Sequence, residues 1–523
     1  MKSRTIRIFT GMTAACILAG CLAGCGKKPQ QTVSNVDLSQ LGDVNGLELP
    51  ITTDGATISF LMNTSQASLE DKFFLQTVKA ITGVTIEPVV VSDANGQQKL
   101  QLLAASKQLP DIARNFLQNS DIDELAVNGA LVNISENLDK MPNLKKLYKE
   151  TPENERVFSD YASSDGNLYV IPAYGIARDV NHLFMYRKDV FDKLGIEPWT
   201  DTESFYNALK KLKEAYPDST PLTSKLQFSL FKYLGNQWGF ETDLDKAYDL
   251  ETKEWVYAGV SSNMKNLLDF LKKLCDEGLL DPEFLTNTQA SWTAKMTSAD
   301  KAFVTFDWVD RMDMFVAQAE ATVPGYDLQP GRPIGLTGRY MPMDPIGGTS
   351  VFITNNKKSD ISVKLVDFLM SEAGGRLETV GLPGQTYEYD ENNKIKYLGF
   401  EEGQSITIKD LEEKYGMFTG GIAMRYDPEC VYFQFTPRTQ TAQELVNAED
   451  LMYGLYPRIN VGEDTERYNE LFGSLNKAFE EFASKYILGA DGVSWESWLE
   501  QAKRLGSDEM GQIIRNHANG QTR

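Results

Sequence analysis

Histidine is nearly absent: His182 and His517 are the only two in 523 residues. A lone histidine in an apolar strand, as at 182, more often serves packing than acid–base chemistry or a metal. No nucleophile elbow is present, because Gly348-Thr349-Ser350-Val351-Phe352 lacks the closing glycine. Phosphate loops, HExxH helices and paired CxxC motifs are missing as well. Cations are the minority charge, 52 Lys and Arg against 73 Asp and Glu, and the net charge of −21 argues against nucleic acid or an anionic membrane surface as partner. It says little about a neutral ligand. Acids are so numerous that some pair must fall at glycosidase separation by chance, which sequence spacing does not measure. Asp243, Asp245 and Glu254 sit at EF-hand offsets, but Tyr248 stands where a glycine turns the loop and Ala247 offers no ligand. These absences predict no catalytic residue, no metal and no cofactor.

Cysteine is scarce and skewed: Cys16, Cys21 and Cys25 crowd the N-terminus, leaving Cys275 and Cys430. Sequence leaves open whether those two pair or stay as buried thiols. The N-terminal three belong to a targeting segment. Lys2, Arg4 and Arg7 form a basic region, and Ile8–Leu18 is an apolar run too short for a membrane span. Leu22-Ala23-Gly24-Cys25 reads as a lipobox, with Leu18-Ala19-Gly20-Cys21 as the alternative. Cys25 is preferred because the polar chain Gly26-Lys27-Lys28-Pro29 starts directly behind it. Residues 1–24 are then a signal peptide, 25–53 a polar tether, and the body is exported and lipid-anchored on the extracytoplasmic face. An uncleaved anchor helix is the competing reading.

What remains is an ordinary folded composition, 42% hydrophobic and 11% aromatic, in a chain too long for one core, so that two lobes or domains are expected. From Ala56 strands alternate with helices: Thr57–Met62, Leu69–Thr82, Val84–Val91, Gln97–Lys107 and Pro110–Phe116. Such alternation implies a largely parallel sheet covered on both faces. The stretch Asp165–Trp199 organises the whole. Asp165-Gly166-Asn167 makes a turn, and two apolar strands follow, with Pro172 and Gly175 forcing a bend between them. A short helix then closes at Gly195. The next helix is expected to take Thr202 as its N-cap.

Asp165, Gly166, Tyr169, Pro172, Tyr186, Arg187, Lys188, Asp189, Leu194, Gly195 and Ile196 together resemble the crossover segment of the extracellular solute-binding proteins of ABC transporters, the family that includes maltose-binding protein. Further matches are Leu103–Ala113 (with Lys107 where glycine is usual), Gly129–Leu138, Ala299–Phe315, Leu365–Gly384 and the tail Trp495–Ala518, the last resembling a long lipoprotein branch. Each is degenerate, but their order and spacing are specific together. The calcium loop of some oligosaccharide-binding relatives has no counterpart at residues 216–221.

The resemblance implies a two-lobed α/β periplasmic-binding-protein fold of type II, with crossing strands and a cleft between the lobes. Lobe one would take 54–174 and 348–383, and lobe two 175–347 and 384–523. The ligand would be a carbohydrate, most simply an oligosaccharide, captured by a monomer and passed to the permease subunits of an ABC importer. An exported glycan-active enzyme and a glycan sensor or adhesin are the rival classes. Sugars need aromatic faces for their C–H surfaces and a polar rim for their hydroxyls. The positions that fall at the cleft by resemblance are Asn63, Ser65, Arg114, Asn115, Tyr174, Arg178, Trp238, Asp307, Trp308, Arg339 and Tyr340. Trp308 stands out, because it follows an apolar run at a strand terminus, where open α/β sheets place their crevices.

Overall fold

The computed structural model describes residues 36–518, apart from Ser65, Ala67, 241–243, 402–405, 447–450, 452–458 and Asn460. Both lipobox cysteines, Cys21 and Cys25, lie outside the described residues, as do Ser65 and Asp243.

Two sheets carry the architecture. In the first, β1 (Ala56–Asn63) pairs in parallel with β2 (Val84–Val91) and β3 (Ile112–Arg114). β4 (Val170–Tyr174) forms the edge of this sheet, after which the chain crosses and β5 (His182–Arg187) opens the second. There β6 (Leu222–Thr223) and β9 (Val304–Trp308) run parallel, while β5 and β10 (Leu328–Pro330) are antiparallel to their neighbours. Between them β7 (Ala247–Tyr248) and β8 (Trp255–Val256) form a short antiparallel hairpin. β11 (Ile346–Ile353) then returns to the first sheet, whose order is β2-β1-β3-β11-β4; the second is β10-β5-β9-β6. The type II expectation of lobes exchanging strands is met.

β1 shows why the strands read as nearly continuous apolar runs. Ile58, Phe60 and Met62 enter one core cluster while Leu61 enters another on the opposite face. Alternate side chains point to opposite faces, and both faces are covered by helices. Lys107 adopts φ +57°, the left-handed conformation that explains why glycine is usual there. Helix Thr202–Ala215 is capped by Asp201 in a reciprocal capping box with Ser204, not by Thr202. Thr202 instead accepts from Gly335 N through its hydroxyl at 2.9 Å.

Three segments cross between the sheets: 175–181, 331–345 and 434–436. The third corrects the expected division. Tyr387, Tyr397, Leu411, Tyr415, Met424 and Cys430 all pack in the first-sheet core, so the chain returns to the second half only at Pro437–Leu445, where Ala442 joins the other cluster. The described part of the expected tether is also folded: Leu41 and Leu47 are buried in the first-sheet core. Both misassignments share a cause. Short apolar anchors separated by polar loops have no periodicity to betray them. Cys275 and Cys430 are unpaired, each in a different core.

Candidate functional site

The second sheet ends in a compact aromatic and ionic cluster. β5 and β9 are paired so that His182 faces Trp308 and Leu183 faces Asp307. β6 runs parallel to β9, with Thr223 opposite Thr305, so Lys225 emerges at the same end. Asp307 is 0% exposed. Its Oδ2 lies 2.9 Å from Lys225 Nζ, and its Oδ1 accepts from Arg311 Nε at 3.3 Å and from Trp308 N at 2.8 Å. A buried carboxylate needs such partners to offset its desolvation. Beneath them, Trp292 donates to Thr305 Oγ1 at 2.9 Å, and Thr305 donates to the Thr223 carbonyl at 2.8 Å.

On that base Trp308 is 46% exposed. It meets His182 edge-on, centroids 5.4 Å apart at 85°, while His182 stacks on Tyr233 at 4.0 Å and 13°. Burial, and secondarily the Lys225 charge, push the His182 imidazole down to about 3. It is therefore uncharged at neutral pH, and its Nε2 lacks a hydrogen-bond partner among the described residues.

The first sheet is finished differently. Asn63 and Arg114 end β1 and β3 as expected, but residues 419–421 pass directly over them. Asn63 N donates to the Gly420 carbonyl at 3.0 Å and Gly420 N returns to Asn63 O at 3.2 Å. The Asn63 side chain is fully engaged, donating to Asp93 at 3.0 Å and accepting from Arg114 Nη1. Arg114 also pairs with Asp93 at 3.2 Å and lies over the Phe116 ring at 4.7 Å. Asn115 closes its own turn by accepting from Leu117 N at 2.9 Å. The Asn63 backbone thus bonds the covering segment, and the Asn63 and Arg114 side chains lie directly beneath it. The side chains beside them are aromatic: Tyr432 lies edge-on to Phe418 and Tyr426, which are tilted by 40° to each other, with centroids 5.8–6.3 Å apart.

Arg178 joins the two walls. It is a buried residue in the first crossing, and its backbone carbonyl accepts from Met343 N in the second at 2.8 Å. Its guanidinium pairs with Asp310 at 3.2 Å, donates to the Tyr432 carbonyl at 2.7 Å and lies 5.6 Å from the Tyr432 and Phe435 rings. Contacts thus run from Trp308's neighbour through Arg178 to Tyr432 and the first wall. Tyr174, partly buried, has its ring edge-on to Tyr148 at 6.2 Å and its backbone bonded to Met424 and Tyr426. Arg339 is exposed in the second crossing.

Two expected platforms are occupied by the core. Trp238 is 1% exposed, packs on Phe270 and donates to Asn266 Oδ1 at 2.8 Å. Tyr340 is 2% exposed and its hydroxyl donates to the Gly331 carbonyl at 2.9 Å. Neither ring has a face to offer, because each fills space in the second-sheet core. Asp307 and Arg178 are likewise buried, with their charges turned to Lys225, Arg311 and Asp310. Sequence reasoning missed Tyr233, Lys225, Arg311 and the aromatics at 418–432. The aromatic-rich run Leu226–Phe240 carried a signal, but within it the largest ring, Trp238, is inside and the smaller Tyr233 is at the strand ends. As for calcium, Asp245 is occupied by Lys246 at 3.2 Å and the Tyr468 hydroxyl at 2.7 Å, and no metal-competent cluster occurs among the described residues.

The family follows from comparison. The model of the bacterial extracellular solute-binding proteins matches residues 74–396, more than half the chain, which therefore belongs to that family. The chain is 28% identical over 309 residues to the fructooligosaccharide ABC transporter substrate-binding protein FusA of Streptococcus pneumoniae, a match spanning 55% of each chain. It is 21% identical over 457 residues to the lipoprotein LipO of Bacillus subtilis, covering 83% of this chain and 86% of that one. An HMO-binding, ABC-transporter-associated solute-binding protein from Bifidobacterium longum infantis superposes with a TM-score of 0.70 at 16% identity, over 89% of this chain and 99% of that one. At that identity the likeness is one of fold.

Proposed function

We propose that this protein is a lipid-anchored receptor that captures an oligosaccharide between its two halves and delivers it to the permease subunits of an ABC importer, without catalysing any reaction on it. The observation that carries this reading is Trp308: a large aromatic face left exposed at a strand terminus, braced from below by a buried ion cluster. FusA's fructooligosaccharides supply the first ligand class to try. The halves turn about the three crossings, with Arg178 among them, and a ligand favours closure only through contacts it makes better in the closed form. In this reading the acylated Cys25 is the anchor and the body acts as a monomer; among the described residues no helix is long and apolar enough to cross a membrane.

A thermal-shift screen of neutral and acidic oligosaccharides, peptides and amino acids tests the reading, because stabilisation grows with free ligand over Kd. Oligosaccharides are expected to raise Tm; a response to peptides alone would refute it. Mass spectrometry of the N-terminal peptide tests the anchor: acyl mass on Cys25 is expected, and an intact Met1 start would refute processing.

A further inference from the structure

Tyr233 stands apart from the other aromatics of the second half. It lies on the short helix Ser229–Leu234, whose Leu230, Phe231 and Leu234 are buried, while Tyr233 itself is only partly covered. Its ring is the outer member of a three-ring stack: Phe306 of the core lies 6.4 Å from His182 at 19°, and His182 lies 4.0 Å from Tyr233 at 13°. Trp308 stands beside the same imidazole at 85°. With the Tyr233 plane nearly parallel to His182, the Tyr233 and Trp308 planes lie at close to a right angle to each other, each in contact with the same imidazole. Two aromatic planes so arranged match a sugar ring that offers a C–H face to one and a C–H edge to the other.

The polar surroundings add a second constraint. Lys225 and Arg311 both point at Asp307, and Arg178 is paired with Asp310. The Asp310 side chain remains 59% exposed, so an incoming carboxylate meets a carboxylate beside Trp308. The net charge of −21 opposes an anionic ligand at longer range.

We propose, resting on the receptor reading above, that Tyr233 and Trp308 form an aromatic corner that selects a neutral sugar unit, with His182 as the spacer ring that fixes the angle between them. Tyr233 is then a specificity-determining residue.

Calorimetric titration of the full mature chain with kestose, maltotriose, cellotriose and trigalacturonate tests this, on wild type and on Tyr233→Leu, Tyr233→Phe and Trp308→Ala. Leucine keeps apolar volume without the flat face, so Y233L should weaken the best neutral ligand by about tenfold or more, as loss of an aromatic anchor does. Y233F keeps the face and should bind within about threefold of wild type, and thermal melts confirm that both variants are folded. If Y233L binds like wild type while W308A is weakened, the corner is overturned and the receptor reading stands. Equal weakening by Y233F and Y233L would place the effect in the hydroxyl and overturn the corner as well. Tighter binding of trigalacturonate than of every neutral trisaccharide would overturn the neutral preference. If no saccharide binds wild type, the receptor reading falls and the corner with it.

Discussion

The two sheets finish their strand ends in opposite ways. At the first, polar side chains occupy the ends of β1 and β3 and a later piece of the same chain lies across them, bonded to Asn63 and packed on Arg114. At the second, a buried carboxylate gathers two cations beneath the surface and leaves Trp308 open above. One wall is closed by the protein itself, the other is left unfinished. A strand terminus in an open α/β sheet marks where a crevice can be; whether its residues reach a ligand depends on what the rest of the chain lays over them.

The sharpest way to break this comparison uses two tryptophans of the same half. Trp238→Ala should cost about 3–5 kcal/mol in denaturant unfolding, as truncation of a buried aromatic does, and should alter ligand affinity little in the fraction that folds. A loss of affinity without a loss of stability would return Trp238 to the cleft.

Next in size is Gly420→Ala. A Cβ at 420 would collide with Asn63 Oδ1 and Arg114 Nη1, so the covering segment must move, at a cost of about 3 kcal/mol. Adding Asn63→Ala removes the nearer of the two obstacles, and the double variant should be less destabilised than the sum of the two single ones. Strict additivity would mean that the segment does not rest on Asn63.

Glu378 sharpens the picture of the closed wall. It lies on helix Glu372–Thr379 below that segment, and Phe418 N donates to its carbonyl at 3.3 Å. Its side chain is fully buried with no hydrogen-bond partner of good geometry on either carboxyl oxygen, and the Met424 N–H compensates only in part. Burial raises its pKa well above the ordinary glutamate value. The folded state therefore holds a proton that the unfolded state has lost, and this residue's contribution to stability falls as pH rises past the glutamate range. Glu378→Gln removes that dependence. The variant should match wild type near pH 4, about the unperturbed glutamate pKa, and exceed it by on the order of 1–3 kcal/mol at pH 8. A constant difference across that range would show that Glu378 is not buried uncharged.

The smallest stability effect belongs to Trp308→Ala, about 1 kcal/mol because nearly half of its surface stays in solvent, with affinity reduced by far more than stability. A large stability loss with unchanged affinity would make Trp308 a packing residue and erase the contrast between the walls.

Local signals settled a great deal. Alternating strands and helices, the turn at Asp165-Gly166-Asn167, the Gly195 stop and the apolar run into Trp308 were legible because each depends on neighbours in the chain: periodicity, a required φ, a missing donor. The family and the return of β11 to the first sheet followed from the order of such signals. Tertiary structure alone decided the rest. Trp238 and Trp308 are the same residue type in the same half of the chain, and packing buries one and leaves the other half-exposed. Asn63 and Arg114 look like cleft residues until residues 419–421, more than 300 positions later, close over them. The segment 384–433 belongs to the first core although it follows the second in sequence, because Tyr387, Leu411 and Met424 bury their surface there. Burial is a property of the folded surface as a whole, and no window of residues contains it.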